Sequence, residues 1–553
     1  MGGRVLVFRN GAVFDGARHR PGAAVVVAEG RVRAVVAEED VEAGLVSHVG
    51  AGERAVEVDL AGGLLLPGSQ DAHVHPVQGG LERMRCDLAE LSTREEYAAA
   101  IGAYAAAHPD LPWVVGGGWT MSVFGTAGPS ADELSAVVPD RPVMLLNRDH
   151  HGAWVNHRAL ELAGLRRATP DPVDGRLQRD ATGAPTGMLH EGAMALVARH
   201  LPETSADDYY QALLVGQAHL HSFGITSWQD AILGDYAGGA DASPAYLRAV
   251  EAGTLTARVR GALWWRRDRG AEQVADLVER RAAFSRGRLV AGSVKVMQDG
   301  IAENFTAAMT APYLDPCGHH TDNLGLSFVD PVALRGHVTR LDAEGFQVHV
   351  HAIGDRAVRE ALDAFEAAAA ANGPSAGRHH VAHLQVVHPD DVPRFARLGV
   401  AANMQPLWAH LDDQMVEMTL PYLGEERAAW QYPFGALARA GAHLAAGSDW
   451  PVTTPDPLQA IHVAVNRWAF GEEGRAGSEP FLPEQALTLE QAFAAYTSGS
   501  AFTNHLDETG RLAPGMLADL TVLDRDPFAG DPGEIGATRV RSTYVDGEVV
   551  HQA

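Results

Sequence analysis

Two histidines, His73 and His75, close the segment Leu65-Leu66-Pro67-Gly68-Ser69-Gln70-Asp71-Ala72-His73-Val74-His75. On a β-strand, residues i and i+2 face the same side. The pair is therefore spaced to share one metal ion, and imidazole is a good ligand for zinc and its neighbours. In a chain with 26 histidines such a pair carries little weight alone. Other chemistry-bearing residues lie in or after later apolar stretches: Lys295 in Val294-Lys295-Val296, His349 and His351 in Val348-His349-Val350-His351, His383 in Val381-Ala382-His383, and Asp449 in Ala446-Gly447-Ser448-Asp449. Each has a plain structural reading. A lysine is more often salt-bridged than catalytic, an aspartate after a strand is often a cap or turn residue, and most histidines pack or face solvent. Those readings do not predict the order, which suits a polar site for one or two divalent metals at the ends of successive barrel strands.

Such a site needs strands that end together. Helical patterns at residues 94–108, 207–222, 271–286, 331–344, 355–371 and 489–498 alternate with short apolar strands at 142–146, 289–297, 347–351, 380–384, 400–403 and 443–446. That alternation is characteristic of a parallel sheet. Its repetition predicts an α/β fold, a distorted (β/α)8 TIM barrel over residues 67–503. The lack of a GxGxxG turn after the first strand removes the main reason to expect a Rossmann fold. Valine-rich strands at 5–9, 23–28, 31–36 and 55–59 resemble those at 520–524 and 539–545. A small β-sandwich domain built from both termini, residues 1–66 and 504–553, is expected. A Gly-, Pro- and Trp-rich stretch at about 113–191 is too irregular for one βα unit and is expected as an insertion in the barrel.

At 553 residues the chain has room for a large barrel with accessory domains. The net charge of -26 argues against nucleic acid and against an anionic membrane as partners. With only Cys86 and Cys317, a disulfide framework or a cysteine-zinc module is excluded. Any metal must be held by His, Asp, Glu or a modified Lys. The N-terminal Met1-Gly2-Gly3-Arg4-Val5-Leu6-Val7-Phe8 runs into strand-like sequence without the apolar region of a signal peptide. No run approaches the roughly 18 to 20 apolar residues of a membrane span, so a cytoplasmic location is expected.

These segments also resemble a known family. Leu66-Pro67-Gly68 with Asp71-Ala72-His73-Val74-His75, Val294-Lys295-Val296 with Asp299-Gly300, His351-Ala352-Ile353-Gly354-Asp355, Ala382-His383-Leu384-Gln385 and Gly447-Ser448-Asp449-Trp450-Pro451 are similar to the YtcJ-like branch of the amidohydrolase superfamily, which includes N-substituted formamide deformylases. The C-terminal Gly510-Arg511-Leu512-Ala513-Pro514-Gly515 resembles that family's return to its β-domain. The resemblance implies His73 and His75 as ligands of the more buried metal and Lys295 as a carbamylated (carboxylated) lysine bridging two metals. It implies His351 and His383 as the later histidine ligands, and Asp449 as the aspartate that binds metal and handles protons. One or two zinc ions are the expected cofactor. His351 is preferred to His349 because the family pattern centres on His-Ala-Ile-Gly-Asp, and His349, on the same face, is left to support a ligand from behind.

The expected chemistry follows from the metal. A bound divalent ion lowers the pKa of water to roughly 7, and metal-activated water would attack a polarised carbonyl while Asp449 takes its proton and passes it to the leaving nitrogen. Arg148-Asp149-His150-His151-Gly152-Ala153-Trp154-Val155-Asn156 resembles a family segment near the substrate. His151 and Asn156 are candidate hydrogen-bond donors to it, and Trp119, Trp154, Trp264, Trp408 and Trp450 are candidate walls of an apolar pocket. The leading reading is hydrolysis of a non-peptide C–N bond in a small-molecule amide, an N-substituted formamide or other N-acyl amide. The alternatives are a cyclic-amide hydrolase or heterocycle deaminase of the same superfamily and, in another class, a non-catalytic binding protein. Assembly as a homodimer is left open.

Overall fold

The computed structural model describes residues 4–41, 54–125, 128–236, 239–471 and 479–553. Residues 1–3 and 42–53, part of the stretch expected in terminal β-structure, lie outside the described residues. Eight parallel strands form the central sheet: β1 (Ser69–Val74), β2 (Ile225–Leu233), β3 (Arg258–Trp264), β4 (Leu289–Met297), β5 (Gln347–Ala352), β6 (His380–His383), β7 (Ala401–Met404) and β8 (Leu444–Ala446), each beside the next. Helices Ser243–Ala252, Gln273–Phe284, Pro331–Ala343, Asp355–Asn372, Val392–Leu398 and Phe434–Arg439 connect β2 to β8 in turn. This is a distorted TIM barrel.

Strand alternation explains why these sequences build it. Val294, Val296, Val348 and Val350 point outward and pack with Leu334, Val358 and Leu362 of the surrounding helices, each fully buried aliphatic side chain contributing roughly 1.5–3 kcal/mol. The intervening Ser293, Lys295, Gln347, His349 and His351 point into the barrel and are buried. β2 and β3 are absent from the strands expected above, and their residues show why. β2 carries Gln229 and Asp230 and β3 carries Arg258 and Arg260, so neither reads as an apolar run. Arg258 reaches Asp519, its Nε donating at 2.7 Å, so one charge in β3 ties the barrel to the C-terminal segment.

The first strand and the segment just past the last are joined by side-chain and backbone hydrogen bonds. Asp71 accepts from Ser448 Oγ at 2.5 Å, from Ser448 N at 3.1 Å and from His73 N at 3.0 Å, and Asp449 N donates to His73 O at 2.8 Å. Gly447 is required here because a Cβ would come within 2.7 Å of His73 N. Upstream of β1, Leu64–Pro67 pairs with Ala12–Phe14 on one side and Leu520–Leu523 on the other, within a six-stranded sheet of strands from both ends of the chain. A four-stranded sheet, Arg31–Ala37, Ala23–Ala28, Arg4–Arg9 and Arg54–Asp59, packs on it through Phe8, Val25, Leu65 and Tyr544.

Between β1 and β2 stands a separate six-stranded sheet, in the order Gly175–Arg179, Pro185–Glu191, Gly152–Val155, Val143–Asn147, Val114–Trp119, Cys86–Asp87. It starts at Cys86, upstream of residue 113, and the strand expected at 142–146 lies inside it rather than in the barrel. Trp119 and Trp154, candidates for the pocket wall, belong to its core. Their rings meet edge to face at 6.2 Å, and each indole N–H is spent on a backbone carbonyl, Leu145 O at 3.0 Å and Ser130 O at 2.7 Å. Asn156 is likewise committed: it caps helix His157–Leu162 by accepting from Ala159 N and donates to Val138 O and Arg141 O. Trp119→Ala is expected to lower the free energy of unfolding by about 3–5 kcal/mol, measured by urea denaturation, as for other buried aromatics cut to alanine.

Candidate metal centre

The barrel delivers one side chain after another to the C-terminal ends of its strands. His73 is the next-to-last residue of β1 and His75 caps the helix that follows, its N–H fixed to Trp450 O at 2.9 Å. Lys295 lies in β4, His349 and His351 in β5, His383 at the end of β6, and Asp449 just beyond β8. Asp449 Oδ1 is 3.1 Å from both His73 Nε2 and His75 Nε2. Lys295 Nζ is 3.4 Å from His73 Nε2. His383 has Nδ1 3.9 Å from Asp449 Oδ2, and its ring centre lies 4.4 Å from that of His351 and 4.7 Å from that of His73. The six expected ligands therefore converge on one place.

His349 stands apart from that cluster, behind His73, with Nε2 2.8 Å from His73 Nδ1. His351 Nε2 faces Gly300 O at 3.3 Å and Asp299 Oδ1 at 3.5 Å. Backbone strain concentrates here: His383 has φ 80°, Leu384 φ 53° and Asp449 φ 59°, conformations that cost on the order of 1–3 kcal/mol each and persist only where surroundings over-determine them.

The electrostatics favour ligands over cations. Burial, helped by the neighbouring Lys295 ammonium, pushes His73 down to about 3, and burial holds His75, His351 and His383 below the ordinary histidine range. Each imidazole is therefore neutral at neutral pH, the form that binds metal. Burial also works against the charge on Asp449, but its contacts with the surrounding histidines, the His75 hydrogen bond among them, outweigh it and hold the carboxyl well below its ordinary range. Burial brings the Lys295 amine down to about 7. A metal fits this donor set on a further ground: His383 Nδ1, His383 Nε2 and His75 Nδ1 are buried without a hydrogen-bond partner, a state that proteins rarely tolerate in a plain core.

A cavity of about 50 Å³ opens on these residues, and a larger one of about 550 Å³ adjoins it. They share Asp149, Ile301, Ile353, Trp408 and Val452 as common wall. His150 and His151, in the turn before strand Gly152–Val155 of the inserted sheet, also line the inner cavity, and each pairs with a carboxylate: His150 Nε2 is 2.7 Å from Glu82 Oε1 on helix Pro76–Arg83, and His151 Nδ1 is 2.8 Å from Glu191 Oε1. Burial pulls His151 down, and the Glu191 charge and hydrogen bond more than offset it, bringing it up to about 9. Trp408 stacks on His383 with centres 5.4 Å apart, Trp264 lines the inner cavity and Trp450 the outer one. Glu191, Glu82 and Asp299 are absent from the candidates of the sequence. Asp299 lies within a matched segment, whereas Glu191 and Glu82 are single acids with no local pattern.

The chain belongs to the amidohydrolase family, whose model matches residues 56–551. It is similar to YtcJ of Bacillus subtilis, 29% identical over 524 residues covering 93% of this chain and 95% of that one. It is also similar to the N-substituted formamide deformylase of Arthrobacter pascens, 27% identical over 548 residues covering 96% and 95%. Among solved structures, a metal-dependent hydrolase of Pyrococcus horikoshii aligns with a TM-score of 0.72 at 25% identity, covering 96% of this chain and 99% of that one. The protein is thus a metal-dependent hydrolase of amide-type C–N bonds in the YtcJ-like branch. Among the described residues no helix is long and apolar enough to cross a membrane. Purified protein is expected to carry divalent metal by elemental analysis. Stripping it with a chelator should lower the thermal midpoint, since the metal binds only the folded chain, and restored metal should raise it again.

Proposed function

We propose that this chain hydrolyses an N-substituted formamide or a comparably small N-acyl amide. The observation that carries the reading is the inequality of the two adjoining cavities, about 50 Å³ at the metal cluster and about 550 Å³ outside it. The acyl carbon must reach the cluster, so the inner cavity limits the acyl group to a few atoms, while the outer one takes a large N-substituent. Its wall combines Met121, Phe223, Leu407, Trp408, Met415 and Trp450 with charged residues such as Arg148 and Glu303, and the apolar part suits an apolar arm. The similarity to a formamide deformylase supports the same choice.

In this reading His73, His75, Lys295, His351, His383 and Asp449 hold one or two divalent ions, zinc foremost. When bound, the metal polarises the carbonyl and makes water acidic enough to react near neutral pH. Asp449, ionised and buried, takes the proton of the attacking water and passes it to the nitrogen as the C–N bond breaks. Lys295, with its amine near pKa 7, has the neutral form that adds CO2, releasing one proton and giving a carbamate whose single negative charge is shared by two oxygens. His151 Nδ1 is spent on Glu191, so Nε2 is the atom that meets the carbonyl oxygen. Trp408 and Trp450 shape the space around the arm, and Trp264 the inner cavity that takes the acyl group. The unpaired cysteines, Cys86 buried and Cys317 exposed, suit a reducing compartment, and we place the enzyme in the cytoplasm.

Zinc-loaded enzyme should therefore release amine without ammonia from N-benzylformamide. The N-acetyl analogue should be slower by about 10–200-fold in kcat/KM, the range set by one extra carbon in a tight site, and the N-benzoyl analogue should be inert. Equal rates across the acyl series would remove the small-acyl assignment, and ammonia as the sole product would point to deamination. Asp449→Asn, metal-loaded, should lose about 10²–10⁴-fold in kcat; near-normal turnover would sink its role as proton carrier. Lys295→Ala should lose turnover with it.

A further inference from the structure

Beneath the metal cluster the barrel interior is filled by polar side chains whose hydrogen bonds can be followed atom by atom. Gln347 Nε2 donates to two backbone carbonyls, Arg378 O at 2.8 Å and Thr503 O at 2.7 Å. Carbonyl oxygens only accept, so the orientation of this amide is settled and Oε1 points inward. There Gln347 Oε1 accepts from Ser293 Oγ at 2.5 Å and from Gln229 Nε2 at 3.0 Å. Gln229 must then turn Oε1 to its other neighbours, His349 Nδ1 at 2.7 Å and His380 Nε2 at 3.1 Å. Both ring nitrogens must carry hydrogen.

A second anchor agrees independently. Asn403 Nδ2 donates to Ala72 O at 2.9 Å and to His380 Nδ1 at 3.2 Å, which again leaves His380 with its hydrogen on Nε2. A neutral His349 protonated on Nδ1 has a lone pair on Nε2. That atom lies 2.8 Å from His73 Nδ1, so His73 donates from Nδ1 and its Nε2 lone pair faces Asp449 and Lys295. Gln229, Gln347, His349, His380 and Asn403 are all at most 1% exposed, so water does not compete for these bonds.

We infer that Gln347 and Gln229 are positioning residues which, through His349, lock His73 in the Nδ1–H tautomer and so keep its Nε2 lone pair turned to the metal. The inference rests on His73 being a metal ligand. An unlocked ring would spend part of its time with Nε2 protonated, and binding would first have to reverse that. Removing such a support typically weakens metal affinity by 10–100-fold.

The test uses the full-length protein. Zinc affinity is measured by competition with a chromophoric chelator for wild type, Gln229→Leu and His73→Ala. Histidine 15N NMR, with His73 assigned through its substitution, reads the ring tautomer. Gln229→Leu is expected to weaken zinc binding by about 10–100-fold, and His73→Ala by more. In metal-free wild type the proton of His73 should sit on Nδ1, and Gln229→Leu should show a mixture. If His73→Ala weakens zinc binding but Gln229→Leu does not, the lock is overturned and the ligand assignment stands. If His73→Ala binds zinc like wild type, both fall. Should Gln229→Leu not fold, the wild-type spectrum decides alone: a proton on His73 Nε2 overturns the inference.

Discussion

Asp71 takes the backbone N–H groups of His73 and Ser448 together with Ser448 Oγ, and these bonds set how close the first and last barrel strands come. The candidate metal centre depends on that distance. His73 and His75 arrive on one side of the seam and Asp449 on the other, and only a tight seam brings Asp449 Oδ1 to 3.1 Å from both imidazoles. Burial pushes the Asp71 carboxyl up to about 7, against its bonds to Ser448 and His73. A carboxyl in so dry a place would be costly without donors, so the bonds that close the barrel also make that group tolerable.

The same economy of water shapes the metal cluster. Neutral imidazoles in a dry space keep their lone pairs free of competing hydrogen bonds, and a dry space makes each remaining charge count for more. The strained backbone at His383 and Asp449 belongs with this. Regular strand endings would not aim the two side chains at a common point, and the packed surroundings hold the distortion. Beneath them the amides of Gln229, Gln347 and Asn403 replace the water that would otherwise satisfy the barrel interior.

The inserted sheet adds what the barrel lacks. His151, just before strand Gly152–Val155, lines the inner cavity, and its partner Glu191 ends strand Pro185–Glu191, where Thr306 Oγ1 donates to Glu191 Oε1 at 3.1 Å and joins the sheet to the loop after β4. Gly300 lies so close that a Cβ would come within 2.6 Å of Glu191 Oε1. The insertion therefore helps set the inner cavity's shape, while its own tryptophans, Trp119 and Trp154, are packed in its core.

The chain on its own determined the metal chemistry. His73, Lys295, His351 and His383 lie on strands whose alternation is local and sets which side chains face inward, whereas His75 and Asp449 stand just past strand ends and are picked out by the resemblance of their segments to the family. The barrel was legible for the same reason wherever the outward face is apolar, as in β4 and β5. It was not legible in β2 and β3, where Gln229, Arg258 and Arg260 find their partners hundreds of residues away or on neighbouring strands. Local sequence also could not separate tryptophans that pack from tryptophans that line a cavity, since both are large and apolar. Only the tertiary structure decided that Trp408 faces His383 while Trp119 is buried in a separate core, that Glu191 pairs with His151, and that two unequal cavities adjoin, the smaller of them at the cluster. Those outcomes depend on distances between segments far apart in the chain, which no spacing of residues encodes.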